Sequence, residues 1–182
     1  MIKELKVYFV VETDAATKTD DAYYTWILKN FYPEITSAKG LNGIRLSFDF
    51  IHMNGKMNYR SRKIDEKIKS FKRMRKENIY FVFCFDLDST SNQDKNFLKN
   101  VDAFCRERDY FLIMSYREIE SVLKVKHKTL SKSDRVKEFN RKQPKKDTIN
   151  VRDLRVKISD LGKIDGESNI CLVIDELCKK AS

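Results

Sequence analysis

An α/β fold, with a mostly parallel four-stranded sheet covered by helices on both faces, is predicted by three observations. Short apolar and aromatic runs recur along the chain as buried strands do. Segments of helical period separate them, and acidic residues follow several of the strand-like runs. With 182 residues, 41% of them hydrophobic, the chain is long enough to bury one core and short for two.

Taken in order, Lys6–Glu12 (KVYFVVE) is an apolar run closed by one acid and reads as a buried strand. Thr13–Lys18 is a polar loop. Thr19 is expected as the N-cap of a helix, with Asp20 and Asp21 in the first turn, at the positive end of the helix dipole. Tyr23, Trp26, Ile27, Asn30 and Phe31 follow at helical spacing, and Pro33 stops the helix. That aromatic stripe is expected in the core. After a Gly40–Gly43 turn, Ile44–Ile51 alternates apolar and polar residues, as a strand near a sheet edge does.

Asn54-Gly55 ends that strand, and Ile64, Ile68 and Phe71 mark the inner face of a basic helix over 61–77. Ile79–Phe85 (IYFVFCF), the most hydrophobic strand, leads into Asp86-Leu87-Asp88. A helix with Phe97, Val101, Phe104 and Cys105 inward precedes a fourth strand, Tyr110–Met114, ending at Ser115. The spacing then predicts a helix over 117–125 carrying Glu118 and Glu120.

This alternation implies right-handed crossovers and a parallel sheet. Residues 1–125 are read as the α/β core. Residues 126–182 are read as a basic helical arm followed by a short C-terminal extension packing on the core, with Ile170–Cys178 favoured as a closing helix.

The net charge of +10 is unevenly spread. Residues 56–76 and 124–146 each hold ten Lys/Arg against two acids, so the rest of the chain is net acidic. Two such segments beside an acidic site favour a polyanionic partner. Cys84, Cys105, Cys171 and Cys178 lack zinc-site spacing and are expected as reduced core thiols. His52 and His127 are read as structural. No apolar stretch is long enough to span a bilayer, and the N-terminus enters a strand directly, so no membrane association and a cytoplasmic location are expected.

Ligands of parallel sheets bind beyond the carboxyl ends of the strands, where Glu12, Asp86, Asp88 and the acids after Ser115 all fall. Asp86 and Asp88 flank one residue, so both are expected to point the same way and to repel unless a cation or proton joins them. A hard divalent cation, Mg²⁺ or Mn²⁺, satisfies both and also binds phosphate oxygens. Glu12 either completes its shell or serves as general base.

These motifs resemble the Toprim domain, a Rossmann-like fold of topoisomerases, primases and old-type nucleases. The likeness is closest to the RloB-like branch associated with phage defence and abortive infection. It rests on Glu12 after the first strand, Thr19-Asp20-Asp21-Ala22-Tyr23-Tyr24 at a helix start, Phe85-Asp86-Leu87-Asp88, and Ser115 followed by Glu120. It covers roughly residues 5–127. Thr13 stands where the family usually has Gly, and Ser89-Thr90-Ser91 replaces its usual residues after Asp-x-Asp.

The resemblance implies a metal-dependent nuclease acting on DNA or RNA, with a defence-system protein as a further partner. Glu12 would be the acid–base residue, Asp86 and Asp88 metal ligands together with Glu12, and Glu120 an accessory acid. Arg117, Lys126, Lys128, Arg60 and Arg62 would meet phosphates or nucleic acid. Two other readings stay open at this point. FCFDLDST also resembles the first motif of haloacid-dehalogenase-type phosphatases, with Asp86 as nucleophile, Asp88 as acid and Ser115 on the phosphate. The third reading is a non-catalytic module that binds nucleic acid or a partner protein.

Overall fold

The computed structural model describes residues 2–74, 78–125 and 130–181. Four strands, β1 (Lys3–Val11), β2 (Ile44–His52), β3 (Ile79–Leu87) and β4 (Phe111–Tyr116), form one all-parallel sheet in the order β2-β1-β3-β4. The expected α/β, Rossmann-like architecture is therefore present. β2 lies at an edge, as its alternating pattern predicts.

Strand parity divides the core in two. Leu5, Val7, Phe9 and Val11 of β1 and Val82 and Cys84 of β3 face one side. Tyr8, Val10, Phe81, Phe83 and Phe85 face the other. Helices α1 (Thr19–Phe31), α5 (Ile119–Val122), α6 (Lys132–Arg141) and α7 (Ile170–Ala181) cover the first side; α3 (Arg62–Met74) and α4 (Asn92–Glu107) cover the second. A further turn of helix, α2 (Pro33–Thr36), follows α1 with Pro33 at its start, where a missing N–H costs nothing.

Several boundaries differ from the sequence reading. Thr19 is the first helical residue of α1 rather than its cap; Lys18 holds the cap position in a left-handed conformation, φ 47°. The strand ends run further than apolarity alone predicts, so Asp86 belongs to β3 and Ser115 to β4. The helix expected over 117–125 shrinks to Ile119–Val122, because Arg117 and Lys124 take left-handed φ values of 65° and 55° on either side of it. Residues 75–77, the end of the expected basic helix, lie outside the described residues.

The C-terminal extension covers the β4 edge. Asn169 acts as a surrogate strand: its Oδ1 accepts from the Met114 N–H and its Nδ2 donates to the Leu112 carbonyl, both at 2.8 Å. The Tyr116 N–H donates to the Glu167 carbonyl at 2.7 Å. Gly166 is required at this crossing, since a Cβ there would lie 2.7 Å from the Ser121 carbonyl oxygen. Such cover satisfies edge groups that would otherwise pair with another chain. Among the described residues, no helix is long and apolar enough to cross a membrane.

Candidate functional site

The strand order reverses between β1 and β3. From β1 the chain leaves over one face through α1, and from β3 over the other through α4. The diverging connections open a crevice beyond the carboxyl ends of these two strands. Glu12 follows β1 directly and Asp86 is the penultimate residue of β3, so both stand at that crevice.

The two are joined: the Asp86 N–H donates to Glu12 Oε1 at 2.9 Å. The chain leaving β2 wraps the same point, with the Gly55 N–H donating to the Glu12 carbonyl at 2.8 Å. A pocket of about 330 Å³ results, lined by Glu12, Asp20, Asp86, Glu118, Glu120 and Arg135 among others.

Electrostatically this is a site with too many carboxylates. Burial pushes the Glu12 carboxyl up to about 7; the Asp20 and Asp88 charges add to that, against the Asp86 N–H and Lys56. Asp86 is raised well above the usual carboxylate range, by burial first and then by Asp20, Glu12 and Glu120. Glu120 is raised too, again chiefly by burial, with Glu118 and Asp20 adding to it and Arg135 opposing.

Sequence reasoning names Glu12, Asp86 and Glu120, and all three line one pocket. Asp88 takes another course. It lies beyond the end of β3, its side chain is 63% exposed, and it is ion-paired with Lys56. Asp86, within β3, lines the pocket, whereas Asp88 follows the last strand residue, Leu87, and is not among the lining residues. Among the described residues, no three His, Cys, Asp or Glu side chains are already drawn together as a bound metal would hold them.

Ser115 is fully buried, its hydroxyl 3.3 Å from that of Ser168, and it does not line the pocket. Arg117 pairs with Asp165 at 3.1 Å and Arg62 with Glu66 at 2.6 Å, both in solvent. Arg60 donates to the Asn100 carbonyl at 3.2 Å, outside the pocket. Lys126 and Lys128 lie outside the described residues.

Four contributors were not singled out in the sequence. Asp20 looks there like a helix-dipole acid. In the folded chain it lines the pocket and accepts from the Thr13 N–H at 3.3 Å. Arg135, one basic residue among ten in its segment, comes within 3.6 Å of Glu120. Lys56 sits at the rim beside Glu12 and Asp88. Tyr23 is fully buried, and its hydroxyl has no hydrogen-bond partner among the described residues. Burial raises its pKa, and Glu120, Asp20 and Glu118 raise it further, which places that hydroxyl beside the acids. Only the pairing of acids at a helix start with acids at strand tips would have pointed to Asp20; the other three depend on long-range packing.

No family model matches the sequence, and no curated protein matches it.

Proposed function

We propose that the chain is a divalent-metal-dependent phosphodiesterase of the Toprim type that cuts DNA or RNA, in a cytoplasmic phage-defence setting. The observation that carries this reading is the meeting of Glu12 and Asp86, from adjacent strand tips, with Asp20 and Glu120 in one open pocket. Carboxyls held above their usual range by burial and by one another gain from a cation. A donor set of oxygens alone suits Mg²⁺ or Mn²⁺. Glu12 and Asp86 would hold the ion, with Glu120 or Asp20 as further ligands. Asp88 is engaged by Lys56 and serves as a ligand only in a state that breaks that pair.

Bound there, the metal would supply charge neutralisation at the phosphate and a more acidic water. The remaining chemistry belongs to the chain. Glu12, at the β1 tip and bonded to the Asp86 N–H, is placed either to complete the ion's shell or to take a proton from the attacking water. Lys56 at the rim is suited to a phosphate oxygen, and Arg135 balances Glu120. The basic segments, with Arg60, Arg62, Arg117, Lys126 and Lys128, would attract the polyanion. The defence setting, including a partner protein, rests on the RloB-like resemblance of the motifs. Buried, unbridged Cys84, Cys105 and Cys171 agree with a reducing compartment.

The test is incubation with plasmid, linear duplex, single-stranded DNA and tRNA in Mg²⁺ or Mn²⁺. Cleavage by the wild type should fall by roughly 10²–10⁴-fold in Glu12→Gln and Asp86→Asn. Equal turnover by all three proteins would remove this site from the chemistry. Salt-sensitive, metal-independent binding without cleavage would instead leave a binding module.

A further inference from the structure

A second concavity lies on the opposite face of the sheet, between α3 and α4. It has a volume of about 430 Å³, in the range of small-ligand sites. Its floor is aromatic, formed by Tyr59, Phe104 and Tyr110, with Tyr59 and Phe104 edge-to-face at 5.0 Å. Its walls are basic: Arg60, Arg62, Lys69 and Arg108 line it against the single acid Asp65.

The cations lie over the rings. The Arg60 guanidinium is 5.1 Å from the Tyr59 centroid and 5.5 Å from that of Phe104, and Arg108 is 4.3 Å from Phe104. Lys72 stands 4.9 Å from the Tyr110 ring. Arg62 and Lys69 are balanced by Glu66 and Asp65, whereas no carboxylate among the described residues pairs with Arg60 or Lys72. A flat guanidinium stacked on an aromatic ring offers a second flat surface outward, with N–H donors around its edge.

The groove and the acidic pocket are linked along the chain. Gly55 lines that pocket, Lys56 pairs with Asp88 at its rim, and the 3₁₀ turn Lys56–Arg60 carries the chain straight to Tyr59 and Arg60.

We propose that this groove binds one or two nucleotides of a single-stranded nucleic acid, bases stacked on Arg60 and Arg108 and phosphates on Arg62, Lys69 and Lys72. Stacking planes set between cations suit splayed bases; a duplex keeps its bases stacked on one another and offers only phosphates. This deepens the nuclease reading by naming its substrate as single-stranded, and it rests on that reading only for the link to cleavage.

The experiment measures fluorescence anisotropy of labelled 12-mer single-stranded DNA and RNA, and of the matched duplex, in EDTA so that binding is separated from cleavage. The wild type should bind single strands at least tenfold more tightly than duplex. Arg60→Ala/Arg108→Ala should lose tenfold or more, and Lys69→Ala/Lys72→Ala, which removes two phosphate contacts, should lower the salt slope of log K by about 1.4. Arg60→Lys/Arg108→Lys, which keeps charge but not the plane, should recover only part of that loss. Lys29→Ala/Lys179→Ala, on α1 and α7 of the opposite face and outside both basic segments, should bind within twofold of the wild type, and unchanged circular dichroism of each variant keeps folding apart from binding. Equal affinity for duplex, full recovery by lysine, or an acidic polypeptide competing as well as DNA would overturn the proposal. Binding as expected with no cleavage in Mg²⁺ would sink the nuclease reading alone; cleavage without groove-dependent binding would sink the groove alone.

Discussion

At the scale of single residues, the acidic pocket should cost the metal-free protein stability, and the sign can be worked out for Glu12. Its carboxyl titrates at about 7 in the folded chain against an ordinary value of 4.5, so the native state holds more protons between those values. The stability this proton gives is complete below about pH 4.5 and is lost as pH rises towards 7. The loss amounts to at most about 3 kcal/mol. Glu12→Gln keeps an acceptor for the Asp86 N–H while removing the charge. It should therefore melt several degrees above the wild type at pH 8 in EDTA and together with it at pH 4.5, by circular dichroism. A constant difference across that range would contradict the shift. Tyr23→Phe removes a buried hydroxyl without a hydrogen-bond partner among the described residues, so melting should be unchanged or slightly higher. A loss of more than about 1 kcal/mol would show that the hydroxyl is bonded after all. Glu12 and Asp86 were readable from the sequence because a strand end fixes where the residues at its tip stand; Glu120, four residues past β4, came from the spacing that the motif resemblance gave. The partner of Asp88, Lys56, comes from a turn 32 residues earlier, a contact no local pattern encodes.

At the scale of elements, legibility followed the strength of the hydrophobic pattern. The run IYFVFCF could only be a strand buried on both faces, and β3 lies between β1 and β4. Two helices owe their starts to serines: Ser91 accepts from the Asp94 N–H at 3.1 Å and Ser131 from the Asp134 N–H at 3.2 Å. α6 was legible only as a basic arm, because a single large apolar residue, Phe139, anchors it. That ring packs edge-on against Tyr23 at 4.7 Å and near Trp26. The extension after α6 gave weak signals since it works through backbone and amide hydrogen bonds to β4 rather than through apolar period. Asn169→Ala should consequently be severe. It strips one acceptor and one donor from the buried β4 backbone, costing about 2–4 kcal/mol and lowering Tm by roughly 5–10 °C. A scan showing a drop under 2 °C would mean that the edge is held by other contacts.

At the scale of the whole molecule, the fold places opposite charges on two distinct surfaces. Acids gather at the crevice between β1 and β3, and cations line the groove between α3 and α4, with the Lys56–Arg60 turn between them. Such a layout draws a polyanion to a surface while reserving the crevice for a cation. The proposed chemistry depends on that cation. Mn²⁺ binding, followed by electron paramagnetic resonance and calorimetry at pH 8, measures it without any need for substrate. Binding is expected for the wild-type protein and for the groove variant Arg60→Ala/Arg108→Ala, with at least a tenfold loss in Asp86→Asn. Equal Mn²⁺ affinity in wild type and Asp86→Asn, or no binding by either, would contradict a metal site at the β1–β3 crevice.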